Sequence, residues 1–145
     1  MAFPLVHPAT NHEPAPLVDL GDAQERARLS DGAVRAFLNI MERWGVRDED
    51  ARRLLGGLSN GAFYTLKKGG GRALDEDRLR RISYLVGIFK ALNILHGEAL
   101  ADRWMSLPNR NRIFAGATPL DYLLRGGLPA FATLRRLLDA RRGGA

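Results

Sequence analysis

From residue 28 onward, apolar positions recur at helical spacing, and no stretch alternates convincingly with period two. Val34, Phe37, Leu38, Met41 and Trp44 share one face of a first helix, which the spacing starts at a Ser30-Asp31 cap and stops at Gly45. Asp48 opens a second helix with Ala51, Leu54 and Leu55 inward, closed by Gly56-Gly57. Ser59 caps a short third helix carrying Phe63, Tyr64 and Leu66, which runs into Lys67-Lys68 and the Gly69-Gly70-Gly71 break. A fourth helix is predicted from Asp75 to about His96. Its apolar positions Leu79, Ile82, Leu85, Val86, Ile88, Phe89, Leu92 and Leu95 form a band too wide for one contact face. Such a helix lies centrally between two units or packs in a dimer.

Shorter elements follow. Ala99, Leu100, Trp104 and Met105 suit a helix ended by Pro108, and Thr118 caps another with Pro119 in first position and Asp121 three residues after the cap. Gly126-Gly127 end that helix. Pro129 begins a last one, with Phe131, Leu134, Leu137 and Leu138 on one side and Arg135, Arg136, Arg141 and Arg142 largely on the other. The fold class is all-α.

Composition narrows the function. At 145 residues and 46% apolar, the chain suits one compact domain or two small helical ones. The expected division is an extended leader over 1–27, a helix-turn-helix and dimerisation region over 28–95, and a final unit over 96–145. Pro4, Pro8, Pro14 and Pro16 argue for an arm without its own core. Glu13, Asp19, Asp22 and Glu25 make residues 1–25 purely acidic, so the remainder holds all 22 basic groups against 12 acidic ones. That excess favours a polyanion or an acidic partner, unless it is simply a solvated arginine-rich surface. With no cysteine, and with His7, His12 and His96 scattered, neither a metal nor a cofactor is expected. No apolar run approaches eighteen residues and no signal segment is evident, so a soluble cytoplasmic protein without a membrane partner is expected.

The second and third helices have the pattern of a helix-turn-helix, with Ser59 opening the reader helix. Base readout in the major groove needs polar side chains at that helix's N-terminal face, where only Ser59 and Asn60 can serve. Tyr64, Lys67 and Lys68 are placed for phosphates, which give affinity and register without sequence information. The competing reading is a helical hairpin kept for dimerisation and packing.

Catalysis has no constellation to carry it. No serine or threonine has a His and carboxylate partner set, and His96 has only Glu98 and Asp102 near it in sequence. Asp75, Glu76 and Asp77 are explained by the dipole at a helix start. Gly126-Gly127 follows a helix instead of a strand and lacks the further glycine and lysine of a phosphate loop. The chain is read as a non-enzyme.

Trp104, Pro108-Asn109, Phe114-Ala115-Gly116, Thr118-Pro119-Leu120, Gly126-Gly127 and Arg135-Arg136-Leu137-Leu138-Asp139 are each explicable as core or turn residues. In this order, over residues 100–140, they resemble the C-terminal domain of the MbcA/ParS/Xre antitoxin family. Residues 47–68, followed by Asp77-Arg78-Leu79-Arg80-Arg81-Ile82, resemble the N-terminal half of the Xre-type antitoxins. Two features depart from that pattern: an extra glycine in the turn, Gly56-Gly57, and the small residues Asn60-Gly61-Ala62 where a reader helix usually displays long donors.

The resemblance implies an Xre-like bundle, a long connecting helix and a small C-terminal toxin-binding domain. It implies a toxin partner with a RES domain, an enzyme that consumes NAD and is silenced when the antitoxin covers its active-site cleft. The toxin-facing candidates it implies are Phe114, Arg135, Arg136, Asp139, Arg141 and Arg142. Guanidinium groups suit a cleft that accommodates a pyrophosphate or is lined with acids, although a solvated face explains the same arginines. Operator DNA, through the helix-turn-helix, and a homodimer, through the wide apolar band of the fourth helix, are the further partners expected. The alternative function is a helix-turn-helix regulator without a toxin.

Overall fold

The computed structural model describes residues 19–69 and 73–143, and among them every regular element is helical. Two long helices, α1 (Ala23–Trp44) and α4 (Glu76–His96), enclose the short pair α2 (Asp48–Leu54) and α3 (Asn60–Lys67) in sequence. The chain continues through α5 (Glu98–Trp104), a single 3-10 turn (Arg112–Phe114) and α6 (Pro119–Arg142). Most of the leader, residues 1–18, and Gly70, Gly71 of the glycine break lie outside the described residues.

Most helix ends fall where side-chain chemistry puts them. Ser59, Asp75 and Thr118 accept the backbone N–H groups of Ala62, Arg78 and Asp121 respectively. Gly45 adopts the left-handed conformation that closes α1. The start of α1 differs from the sequence expectation. Asp22, not Ser30, is the cap, so residues 23–27 of the stretch read as an arm form the first turns of a helix. Ser30 is buried inside α1, donates to the Arg26 carbonyl and accepts the buried Leu74 amide at 2.9 Å. It ties the segment before α4 to α1, a partnership 44 residues apart that local pattern does not contain.

The wide apolar band of α4 has a structural explanation within one chain. α1, α5 and α6 all pack on it, and Leu79, Ile82, Leu85, Ile88, Ala91 and Leu92 are buried between them. Phe37, Leu54, Phe131, Leu134 and Leu138 join the same core. Each fully buried side chain of this size contributes about 1.5–3 kcal/mol. Ala101 of α5 and Met105 just past its end are buried, whereas Leu100, part of the apolar pattern that predicts the helix, is exposed.

Two arginines knit the N-terminal helices to the C-terminal ones. Arg43 of α1 donates to Asp102 at 2.8 Å and Glu98 at 2.9 Å on α5, and lies over the Phe89 ring. The Asp102 hydrogen bond, with desolvation working against it, raises the Arg43 guanidinium above its ordinary pKa. Arg81 of α4 pairs with Asp77, reaches the Leu54 carbonyl at the end of α2 and lies over Phe131 of α6.

α6 bends where the sequence predicts two helices. Gly127 has φ 65° and ψ −151°, outside the helical region and accessible at low cost only to glycine. Pro129 lacks an N–H and its ring would meet the carbonyl four residues back, so the ladder cannot pass through this point. A Cβ on Gly126 would lie 2.5 Å from that of Ala130, so the bend also requires a small residue there.

Candidate nucleic-acid and partner interfaces

The α2–α3 segment has helix-turn-helix geometry. Gly56 and Gly57 both have positive φ, 89° and 92°, and the Gly57 and Leu58 amides close the turn on the Arg52 carbonyl. A Cβ at Gly56 would come within 3.2 Å of Arg81 Nε, so the departure from the usual single glycine makes room for a side chain from α4. Phe63 is buried and anchors α3; Ser59, Asn60, Gly61, Ala62, Tyr64 and Thr65 are exposed.

The five sequence-selected DNA residues are not equivalent. Asn60, Tyr64 and Lys68 stand at i, i+4 and i+8, one stripe along α3. Lys68 Nζ lies 5.0 Å from the Tyr64 ring centroid, and Tyr64 is 59% exposed. Ser59 Oγ is occupied as the helix cap. Lys67 Nζ is held by Asp48 at 2.8 Å and lies over Phe63, so its charge is already answered within the fold.

The second surface is built on an aromatic chain. His96 stacks on Trp104, which meets Phe114 edge-on at 6.0 Å, and Phe114 meets Tyr122 at 5.4 Å. Phe114, a toxin-facing candidate, is only 2% exposed: it plugs the core and fixes the loop around it. Ala115 follows in the left-handed region at φ 49°, then Gly116 at φ 84°. The Leu120 amide donates to the Met105 carbonyl, fastening α6 to the end of α5.

The remaining candidates lie on the last arm of α6. Arg135, Asp139 and Arg142 form one linked set, Arg135 Nε to Asp139 at 2.8 Å and Arg142 to the same carboxylate at 3.6 Å. The Arg135 guanidinium also fills the space over Gly87 of α4, where a Cβ would overlap it. Arg135 is therefore an internal tie between helices. Arg136 is exposed with only a 3.4 Å contact to Thr133, and Arg141 is exposed without an ion pair among the described residues.

Charge separates the two surfaces more sharply than residue choice does. Residues 1–102 contain 14 basic and 14 acidic groups, and residues 103–145 contain 8 basic and only 2 acidic ones, so the whole net charge of +6 belongs to the latter. In the first part most cations among the described residues face carboxylates, as Arg28 does Glu25, Arg35 Asp31, Arg47 Glu49 and Asp50, Arg78 Asp75, and Arg80 Glu76. The Asp50 hydrogen bond raises the Arg47 guanidinium above its ordinary pKa. In the second part Arg103, Arg110, Arg112, Arg125, Arg136 and Arg141 have no ion pair among the described residues. Four of these, Arg103, Arg110, Arg112 and Arg125, escape a reading based on motifs. The signal is legible all the same, because the stretch from Arg103 to Leu120 holds three arginines and no acid.

No helix among the described residues is long and apolar enough to cross a membrane. Residues 22–87 match the antitoxin Xre-like helix-turn-helix domain, and residues 90–144 match the antitoxin Xre/MbcA/ParS C-terminal toxin-binding domain, so the two matches meet inside α4. The chain is similar to the uncharacterized protein y4oB of Sinorhizobium fredii (strain NBRC 101917 / NGR234). They are 39% identical over 112 residues, 77% of this chain and 84% of that protein. No solved structure matches it significantly.

Proposed function

The chain belongs to the Xre/MbcA/ParS antitoxin family, and from that premise we propose that it neutralises a RES-domain, NAD-consuming toxin by covering the toxin's active-site cleft. The observation that carries the reading is the unspent positive charge of residues 103–145, which coincides with the toxin-binding domain. Guanidinium groups not committed to internal carboxylates are free to pair with acids lining a cleft that admits a pyrophosphate. Arg136 and Arg141 on α6 are the outward contacts. Arg135, Asp139 and Arg142 hold the arm's shape, and Phe114 supports the loop from within. No catalytic step is assigned to this chain.

DNA binding for control of its own operon is the second part of the proposal, supported by the exposed Asn60, Tyr64 and Lys68 stripe. A homodimer completes it. Since α1, α5 and α6 cover most of the α4 band, the seam we assign is the part left open, the apolar hollow of about 520 Å³ between α1 and α4, lined by Leu29, Ala33, Leu79, Ile82 and Val86 among others. Light scattering at micromolar concentration should report twice the chain mass; a monomer would remove the dimer from the proposal.

The test of function is expression of the adjacent reading frame with and without this chain, following growth and cellular NAD together. NAD should collapse when the neighbour is expressed alone and recover on co-expression. A harmless neighbour would leave a helix-turn-helix regulator as the better reading.

A further inference from the structure

Between Pro108 and Gly116 the loop encloses an open hollow of about 400 Å³ walled by Asn109, Arg110, Asn111 and Arg112. It lies apart from the α6 arm in sequence and is rigid for reasons visible in its own bonds. Asn109 Oδ1 accepts the Asn111 amide at 2.9 Å, and Asn111 Oδ1 accepts the Ile113 amide at 3.1 Å. The Asn109 amide donates to the Ala117 carbonyl, closing the loop, and Phe114 pins its far side to Trp104 and Tyr122. Arg110 and Arg112 are exposed on this frame with no carboxylate partner among the described residues. The Arg110 and Gly116 amides have no acceptor among the described residues.

We propose that this hollow is the receptor for an Asp or Glu side chain of the toxin, and that Arg110 and Arg112 thereby select which toxin the chain neutralises. The inference rests on the antitoxin reading above. A carboxylate fits better than a nucleic-acid backbone for a physical reason. The hollow is concave and confined to one short loop, large enough for a side chain, whereas a duplex presents a long series of phosphates that calls for a row of cations. A planar guanidinium fork pairs a carboxylate bidentately, and two such forks on a loop already ordered lose little entropy on binding.

The full-length chain carrying Arg110→Glu and Arg112→Glu is titrated calorimetrically against the purified protein of the adjacent reading frame. Affinity should fall at least about 100-fold, as expected for paired arginine anchors, with an unchanged melting temperature because both side chains are exposed. Arg110→Ala with Arg112→Ala should give a smaller loss of the same sign, which guards against any disturbance from the introduced acids. If both variants bind like the parent chain, the hollow is not the receptor, while the antitoxin reading stands. If the parent chain itself fails to bind, that reading falls and takes this inference with it. A loss of DNA affinity with toxin affinity intact would overturn the assignment in favour of nucleic acid.

Discussion

Residues 1–102 and 103–145 share one hydrophobic core but use their charges in opposite ways. The first part balances 14 basic groups with 14 acidic ones and closes most of its cations into pairs along or between helices; the second carries 8 against 2 and leaves most of its arginines without an ion pair among the described residues. Exposed pairs of this kind contribute little stability individually, typically 0–1 kcal/mol. Their effect is to cancel the field of the helix-turn-helix half. The C-terminal half keeps its field, which raises the encounter rate with an acidic partner. A chain can therefore separate folding from recognition through the placement of acids alone.

Substitutions that cross the boundary should break this comparison. The largest effect comes from truncation after Gly127, which removes Phe131, Leu134 and Leu138, all at 0% exposure. At about 1.5–3 kcal/mol each, their loss rivals the whole stability of a small domain. The truncated chain should lose cooperative thermal unfolding by circular dichroism, so truncation probes the fold and cannot isolate the inhibitory arm. Phe114→Ala should cost about 3–5 kcal/mol and weaken toxin binding through collapse of the loop; an unchanged melting temperature would show that Phe114 is not the plug.

Charge reversals sharpen the contrast without touching the core. Arg136→Glu with Arg141→Glu should weaken toxin affinity by roughly tenfold or more and leave the melting temperature unmoved. Arg43→Ala should do the reverse, lowering the melting temperature by severing α1 from α5 and sparing toxin affinity. Either result exchanged between the two sites would contradict the division of labour. On α3, Lys68→Glu should reduce DNA affinity and lower the salt slope by about 1, whereas Lys67→Glu, whose parent is already neutralised by Asp48, should do less.

The smallest effect is acid sensitivity at the start of α1. The hydrogen bond from Arg28 holds the Glu25 carboxyl below its ordinary pKa. A carboxyl depressed in the folded state contributes stability that is complete above its unfolded pKa and is lost as pH falls through the folded one. Glu25→Gln should therefore flatten the acid limb of the melting profile slightly and change nothing near neutrality.

The order of helices was legible because it rests on local chemistry. Gly45, Ser59, Asp75, Thr118 and Gly127 each set a boundary through their own backbone or their immediate neighbours. What escaped local reading depends on distant partners. Ser30 looks like a cap but serves the Leu74 amide, Leu100 fits an apolar pattern but faces outward, and Arg135 belongs to a basic face but lies across Gly87. The candidate site divides along the same line. Arg136 and Arg141 carry over from the sequence as exposed candidates, the sequence left Phe114 open between a core residue and a toxin-facing one until its burial decided for the core, and Arg110 and Arg112 required the whole charge balance of the C-terminal tract.

The most direct measurement is the salt dependence of toxin affinity for the parent chain beside charge-reversed variants of each half. Affinity should weaken steeply with salt for the parent chain and for Arg35→Glu, and become both weaker and flatter for Arg136→Glu with Arg141→Glu. Equal salt slopes for all three would show that the unpaired arginines of residues 103–145 are a solvated face and not the surface that binds the toxin.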